Sequence, residues 1–433
     1  MNLLEHKRRW IVVALLFFLS VVNYLDRQSL SVLAPTLRDA LHFSVQEYSW
    51  AVSAFLVAYT LGYLFCGRIL DRFGAKLSIG VAVALWSVAG ALHAAAASWQ
   101  HLAAARFLLG LGESFNAPGG AKVIRAWVPK RERALSMAVF STGNIVGAIV
   151  APPLVSALAL HLSWRPAFLI TGAVGFVWLA FWKVLYHAPQ EDPRLSEEER
   201  TLIFADAATQ PASMPGFWDV ARHPLVLAFI LARFLTDSLP YFFSFWLPEF
   251  LARSHGFGLA QIGMLAWIPY LAADIGGLTG GASSDWLVRR GLDPLKARRR
   301  VLVTAACLTP AALVAVHSPS SGVALGCIGL VLAAHSAWIT NLLTYMTESM
   351  PPSLAGQVVA WSGIGGSVGG ILANLATGAV VEAYGYEPVF SGLAFVHLTA
   401  FVLLSVLSRR AGVRALSEGS EIERPASKAR FSE

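Results

Sequence analysis

The sequence predicts an all-α membrane protein of twelve transmembrane helices, arranged as two six-helix halves related by pseudo-twofold symmetry. Three observations carry this reading. Of the 433 residues, 56% are hydrophobic and 14% charged, against about 45–50% and about 25% in soluble domains. Apolar stretches of about 20 residues, the length that crosses a hydrocarbon core, recur twelve times. Features of the first six stretches return in the last six, which suggests a duplicated unit.

In chain order the first group of spans covers residues 11–33, 50–70, 77–97, 101–121, 134–156 and 165–186. The second covers 225–250, 262–284, 301–317, 322–346, 357–380 and 388–408. The stretch from Trp10 is longer than a signal-peptide core and no small-residue cleavage site follows it, so it is expected to remain as the first span. This divides the chain into an N-terminal bundle (1–186), a polar linker (187–224), a C-terminal bundle (225–408) and a polar tail (409–433) expected to be disordered. Within the linker, Ser196 followed by Glu199 is the pattern of a capping box and predicts a short surface helix there. The repeat is visible as Gly67-x-x-x-Asp71-Arg72 after the second span and Gly281-x-x-x-Asp285 with Arg289-Arg290 after the eighth. Trp164-Arg165-Pro-Ala-Phe168 and Tyr386-Glu387-Pro-Val-Phe390 open the sixth and twelfth spans.

The formal charge of +7 does not form a nucleic-acid face, because the basic residues fall in short clusters between spans. Arg38, Arg165 and Arg253 lie on one side and Arg27, Arg106 and Arg233 within spans; all other Lys and Arg share a side with both termini. By the positive-inside rule that side is cytoplasmic. Cys66, Cys307 and Cys327 sit in apolar stretches without metal-ligand spacing, so no metal and no cofactor is expected. The expected surroundings are a lipid bilayer, and a single chain already holds both halves, so a monomer suffices.

The loop Gly67-Arg-Ile-Leu-Asp71-Arg72-Phe-Gly74-Ala-Lys76 resembles the cytoplasmic motif of the major facilitator superfamily, and the resemblance extends over nearly the whole chain. Asn23-Tyr24-Leu25-Asp26-Arg27, Arg106-Phe-Leu-Leu-Gly-Leu-Gly112-Glu113 and Trp127-Val-Pro-Lys130-Arg-Glu132-Arg133 are similar to its anion:cation symporter family. Phe245-Trp246-Leu247-Pro248, the run from Ala266 to Asp274, and Lys296-Ala-Arg298-Arg299 look most like bacterial hexuronate transporters. The resemblance implies a major facilitator fold in the bacterial inner membrane and import of a small organic anion, a hexuronate or related sugar acid, by proton symport. Galactonate, glucarate or aromatic-acid carriage, and export, are the alternatives within transporters. A membrane enzyme would need a nucleophile or metal motif in its proper setting; HExxH does not occur, and the GxSxG match at Gly365-Gly366-Ser367-Val368-Gly369 lies inside an apolar span with no strand before it.

Ionisable groups within a span cost about 2.5–3.5 kcal/mol each on insertion scales, so those present need a role. Arg106 and Glu113 are two turns apart on one helix face, about 10 Å along the axis. An Arg on such a face offers a planar fork for a carboxylate. Arg27 is expected to contact the anion, with Arg106 shared between substrate and Asp26. The resemblance implies proton coupling at Asp26 and Glu113. Asp26, next to two arginines, is expected to titrate lower and Glu113, with fewer partners, to carry the driving proton. Tyr24 and Tyr59 match hydroxyl-contact positions of the family, and Asn144 stands where relatives carry another amide. Trp361 and Ser362 are candidate contacts in the second half. Arg233 with Asp237, and Asp274, could serve second-half coupling, a gate or structure. Gly67, Asp71, Arg72, Lys76, Asp285 and Arg289 are expected to form a cytoplasmic gate that locks the outward-facing state. The glycines from Gly363 to Gly370 lack the spacing and preceding strand of a nucleotide site and are expected to let helices approach closely.

Overall fold

The computed structural model describes residues 8–204, 217–351 and 354–422, with the side chains of Phe217 and 409–422 left aside. Within these residues the chain is helical between short connections. Ten helical stretches are long and apolar enough to cross a membrane. One of them, Val45–Ala95, has 51 residues and suffices for two crossings. It breaks at Gly74, whose φ of 75° and ψ of 161° lie where a side chain would be strained. The pair Trp99–Glu113 and Asn116–Trp127 together suffices for another, so the helices are consistent with twelve spans. They are numbered here 1 (Arg8–Leu41), 2 and 3 (45–73 and 75–95), 4 (99–127), 5 (Lys130–Leu162) and 6 (Trp164–Leu185). The second half holds 7 (Pro224–His255), 8 (Leu259–Arg289), 9 (Pro294–His317), 10 (Ser321–Glu348), 11 (Ala355–Tyr384) and 12, which begins at Glu387.

Local signals set several ends and breaks. Ser44 and Glu47 form a reciprocal capping box at the start of span 2, with bonds of 3.1 and 2.7 Å. Pro224 and Pro294 stand in the first turns of spans 7 and 9, where a missing N–H costs nothing. Spans 4 and 7 are interrupted beside acidic residues, after Glu113 and at Asp237. Bulky apolar side chains such as Phe65, Leu77, Val184, Leu278 and Val402 are exposed on the outside, as a surface meeting lipid requires.

The linker helix Glu197–Phe204 lies where the sequence places it, but its capping box is only half formed. The Glu199 amide donates to Ser196 Oγ at 3.3 Å, while the Glu199 carboxylate accepts from the backbone N–H groups of Arg8 and Arg9 at 3.1 and 3.0 Å. It therefore caps span 1, where the positive end of the helix dipole favours an anion. Asp192, with no exposed side-chain surface, binds Arg8 at 2.7 Å, and Arg9 reaches Glu132 at the start of span 5 at 2.8 Å. The linker thus docks on the first half. The last helix runs on to Ile422, past the boundary drawn at 408. Residues 423–433, the rest of the expected tail, lie outside the described residues, as do Lys7 and the middle of the linker, 205–216.

Spans 1, 2 and 5 meet spans 7, 8 and 11, and the bonds joining the halves cluster at the end distant from the chain termini. Tyr48 and Ser31 both donate to the Phe245 carbonyl, at 2.7 and 3.1 Å. Asn374 donates to the Ser49 carbonyl and to Ser53 Oγ, at 3.0 and 2.8 Å, and accepts from Trp246 at 2.8 Å. Arg38 forms an ion pair with Glu249.

The glycines of span 11 face span 7. A Cβ on Gly365 would stand 2.7 Å from the Ile230 carbonyl oxygen, and one on Gly370 would enter the Tyr241 ring. Close approach of two helices is thus the use of this stretch.

Candidate functional site

Span 1 carries the centre of the site. The Arg27 guanidinium donates from Nε and Nη2 to one oxygen of Glu113, at 3.0 and 2.9 Å. Three aromatic rings surround it: Tyr24 and Phe55 at 5.1 Å and Tyr59 at 4.9 Å from their centroids. Arg106, 1% exposed, donates through Nη2 to the Arg27 carbonyl at 3.1 Å, so it braces the backbone that presents the neighbouring guanidinium. Its Nε and Nη1 have no hydrogen-bond partner.

The partners differ from those expected on sequence. Arg106 makes no hydrogen bond to Asp26, and both Asp26 oxygens are shielded without a partner. Asp26 lies against Gly90 of span 3, its Oδ1 3.6 Å from where a Cβ there would stand. Successive helical residues point about 100° apart, which sends Asp26 into the first bundle and Arg27 toward span 4. Glu113, expected to be the freer carboxyl, is the one held by arginine, and its second oxygen remains unpaired.

The second half approaches from spans 7 and 8. Tyr241 lies within electrostatic reach of Arg27 and Tyr59, its ring against Gly370 of span 11. Tyr270 donates to the Phe243 carbonyl at 3.0 Å. One turn further on span 8, Asp274 is within reach of Tyr24. Asn144 and Asp274 are both partly buried, and each has a shielded oxygen without a partner. Arg233 and Asp237 bond each other within span 7 at 3.1 Å.

Other candidates lie elsewhere. Ser362 is fully buried, and its hydroxyl donates to the Val359 carbonyl at 2.8 Å. Trp361 packs on Trp218 of the linker with centroids 5.0 Å apart. Of the residues expected to form a cytoplasmic gate, Asp71 and Asp285 each pair with another helix of their own half. Asp71 binds Lys122 at 2.6 Å, and Asp285 binds Arg298 at 2.6 Å. Arg72 and Arg289 are exposed, Arg72 over the Phe73 ring. The Lys76 carbonyl accepts from Trp182 at 3.0 Å. Around Gly67 an added Cβ would meet nothing within 4 Å.

Sequence reasoning missed Phe55, Tyr241, Tyr270 and Glu249. Glu249 lies one residue past the Phe245–Pro248 motif that was noticed, and its partner Arg253 at i+4 resembles an ordinary helix-end pair.

The sequence profile of the Major Facilitator Superfamily matches residues 16–374, and the chain belongs to this family. The Hexuronate transporter of Escherichia coli (strain K12) is 32% identical over 419 residues, covering 95% of this chain and 96% of that protein. The Galacturonate transporter of Dickeya chrysanthemi is 36% identical over 277 residues, 63% of this chain and 80% of that one. Among solved structures, a bacterial homologue of the human lysosomal transporter Spinster, inward-facing and unoccupied, superposes with a TM-score of 0.71. At 19% identity over 94% of this chain and 96% of that chain, it shows the fold alone.

Proposed function

We propose that the protein imports a hexuronate or a related sugar-acid anion into the bacterial cell by proton symport through alternating access. It acts as a monomer in the inner membrane with both termini cytoplasmic. The similarity to hexuronate and galacturonate transporters supports the substrate class, and the distribution of Lys and Arg supports the orientation.

The observation that carries the coupling is the Arg27–Glu113 pair. Arg27 is the group suited to a carboxylate, and here Glu113 occupies its fork. A proton arriving on Glu113 removes that charge and frees the fork for the substrate's carboxylate; proton loss from Glu113 restores the pair and displaces the anion. The rings of Tyr24, Phe55 and Tyr59 hold the guanidinium in place by cation–π attraction. Asp26, buried behind it, is the second coupling carboxyl. With the halves joined at the distal end and Asp71 and Asp285 each paired within its own half, the arrangement fits a cavity open to the cytoplasm.

The test is uptake of labelled glucuronate and galacturonate into proteoliposomes under an imposed pH gradient, with and without a protonophore. Glu113→Gln is expected to abolish gradient-driven accumulation and to spare substrate counterflow. Normal pH-driven accumulation by this variant would overturn the coupling scheme.

A further inference from the structure

We infer that Asp274 sets selectivity between sugar acids with one carboxylate and those with two, by accepting hydrogen bonds from hydroxyls at the substrate's far end and repelling a second carboxylate there. This rests on the reading of the site as one for sugar acids.

The placement follows from how span 8 meets the first half. Spans 5 and 8 pack against each other and run in opposite directions, and a Cβ on Gly263 would stand 2.7 Å from the Ser156 Cβ. Asp274, about three turns on from Gly263, and Asn144, about three turns back from Ser156, therefore lie at a similar depth. Tyr24 is within electrostatic reach of Asp274, and Arg27 stands against the Tyr24 ring at 5.1 Å.

Asp274 is the uncommitted acid of the second half; Asp26, also without a partner, lies within the first bundle against Gly90. Asp237 is bonded by Arg233 and Glu113 by Arg27. No cation pairs with Asp274 among the described residues, and its Oδ2 is shielded without a partner. Asn144, on span 5 one turn from Gly147, which packs on the Tyr24 Cβ and the Val21 backbone, likewise keeps a shielded oxygen without a donor. A hexuronate or aldonate anchored by its carboxylate at Arg27 presents only hydroxyl or carbonyl groups at its other end, and hydroxyls supply the missing donors. An aldarate of the same length presents a second carboxylate, which brings no donor and the same charge as Asp274. Rejection then arises both from an unpaired acceptor and from like-charge repulsion.

Purified protein is titrated with glucuronate, galactonate and glucarate, and binding is read as a thermal shift, which needs no turnover. Wild type is expected to bind the mono-acids and to bind glucarate weakly. Asp274→Asn and Asp274→Ser are both expected to raise glucarate affinity relative to glucuronate by about tenfold or more, roughly 1.4 kcal/mol. Asp274→Glu is expected to keep the exclusion. An unchanged ratio in folded Asn and Ser variants overturns the inference, as does wild type binding glucarate as well as glucuronate. If wild type binds no sugar acid of the panel, the reading of the site itself fails; binding of mono-acids with an unmoved ratio removes only the role of Asp274.

Discussion

Replacing Glu249 with Gln removes the charge that ties the halves together at their distal end. Glu249 is 1% exposed, and one of its oxygens accepts from both Arg38 of the first half and Arg253 of its own. Only the Arg38 bond differs between a closed and an open distal end, because Arg253 stays on the same helix in both. Gln keeps the volume and one acceptor oxygen, so the loss is the charge assistance of one bond. Hydrogen bonds to charged groups contribute about 1.5–3 kcal/mol and neutral ones about 0.5–1.5. The shielded second oxygen of Glu249, unpaired here, offsets part of this once its charge is gone. A net penalty of about 1–2 kcal/mol against the closed end follows, a shift of roughly 5–30-fold in the ratio of conformations.

Spin labels on the 42–44 and 256–258 connections, read by pulsed electron–electron double resonance, report that ratio directly. The longer distance should gain population in Glu249→Gln. Arg38→Gln should have a similar effect, and the double variant should resemble either single one, since all three lose the same contact. An effect of Glu249→Gln that persists at full size in the Arg38→Gln background would refute the assignment of the gate to this pair.

Two further outcomes follow from the packing and the linker. Gly365→Ala forces a Cβ to within 2.7 Å of the Ile230 carbonyl and should destabilise the protein by about 1–3 kcal/mol, seen as a lowered melting temperature in detergent, whereas Gly67→Ala, with nothing within 4 Å, should leave the melting temperature in this conformation unchanged. Burial alone would raise the Asp192 pKa, but hydrogen bonds from Arg8 and Arg194 outweigh it and hold the carboxyl below its ordinary value. Its stabilisation is therefore complete above the unfolded value of about 3.9 and is lost as pH falls through the lower folded value. The melting advantage of wild type over Asp192→Asn should be constant from neutral pH to about 5 and shrink below about 4; a gap that widens on acidification would contradict the pairing.

The spans were legible because a bilayer solvent leaves a composition signal in every crossing, and so were the charged residues that need a reason to lie within one. Their partners were not. Asp26 and Arg27 are neighbours in sequence, yet the helix turns them to different faces, so adjacency misled where the side-chain direction decides. Ser362 has the chemistry of a hydroxyl reader, but a serine inside a helix can spend its hydroxyl on the preceding turn, and this one does. The glycine run of span 11 was readable because small residues at helical spacing describe a face whatever the partner; that the partner is span 7 needed the three-dimensional arrangement. Glu249 escaped notice because end-of-span acids are common, and only the fold brings Arg38 to it.

Span 1 joins the two ionic centres. Arg27 binds Glu113 at its middle, and Arg38, about three turns further, binds Glu249 across the halves. Three turns return a helix to nearly the same face, and both arginines stand on one continuous helix, with Pro35 between them. Ser31 lies between them, bonded to the Phe245 carbonyl of the second half at 3.1 Å. A change in what Arg27 holds is thus applied to the same helix that seals the distal end. Coupling of this kind is reciprocal in free energy: if anion binding at Arg27 biases the Arg38–Glu249 contact, loosening that contact must alter the affinity at Arg27 by the same factor.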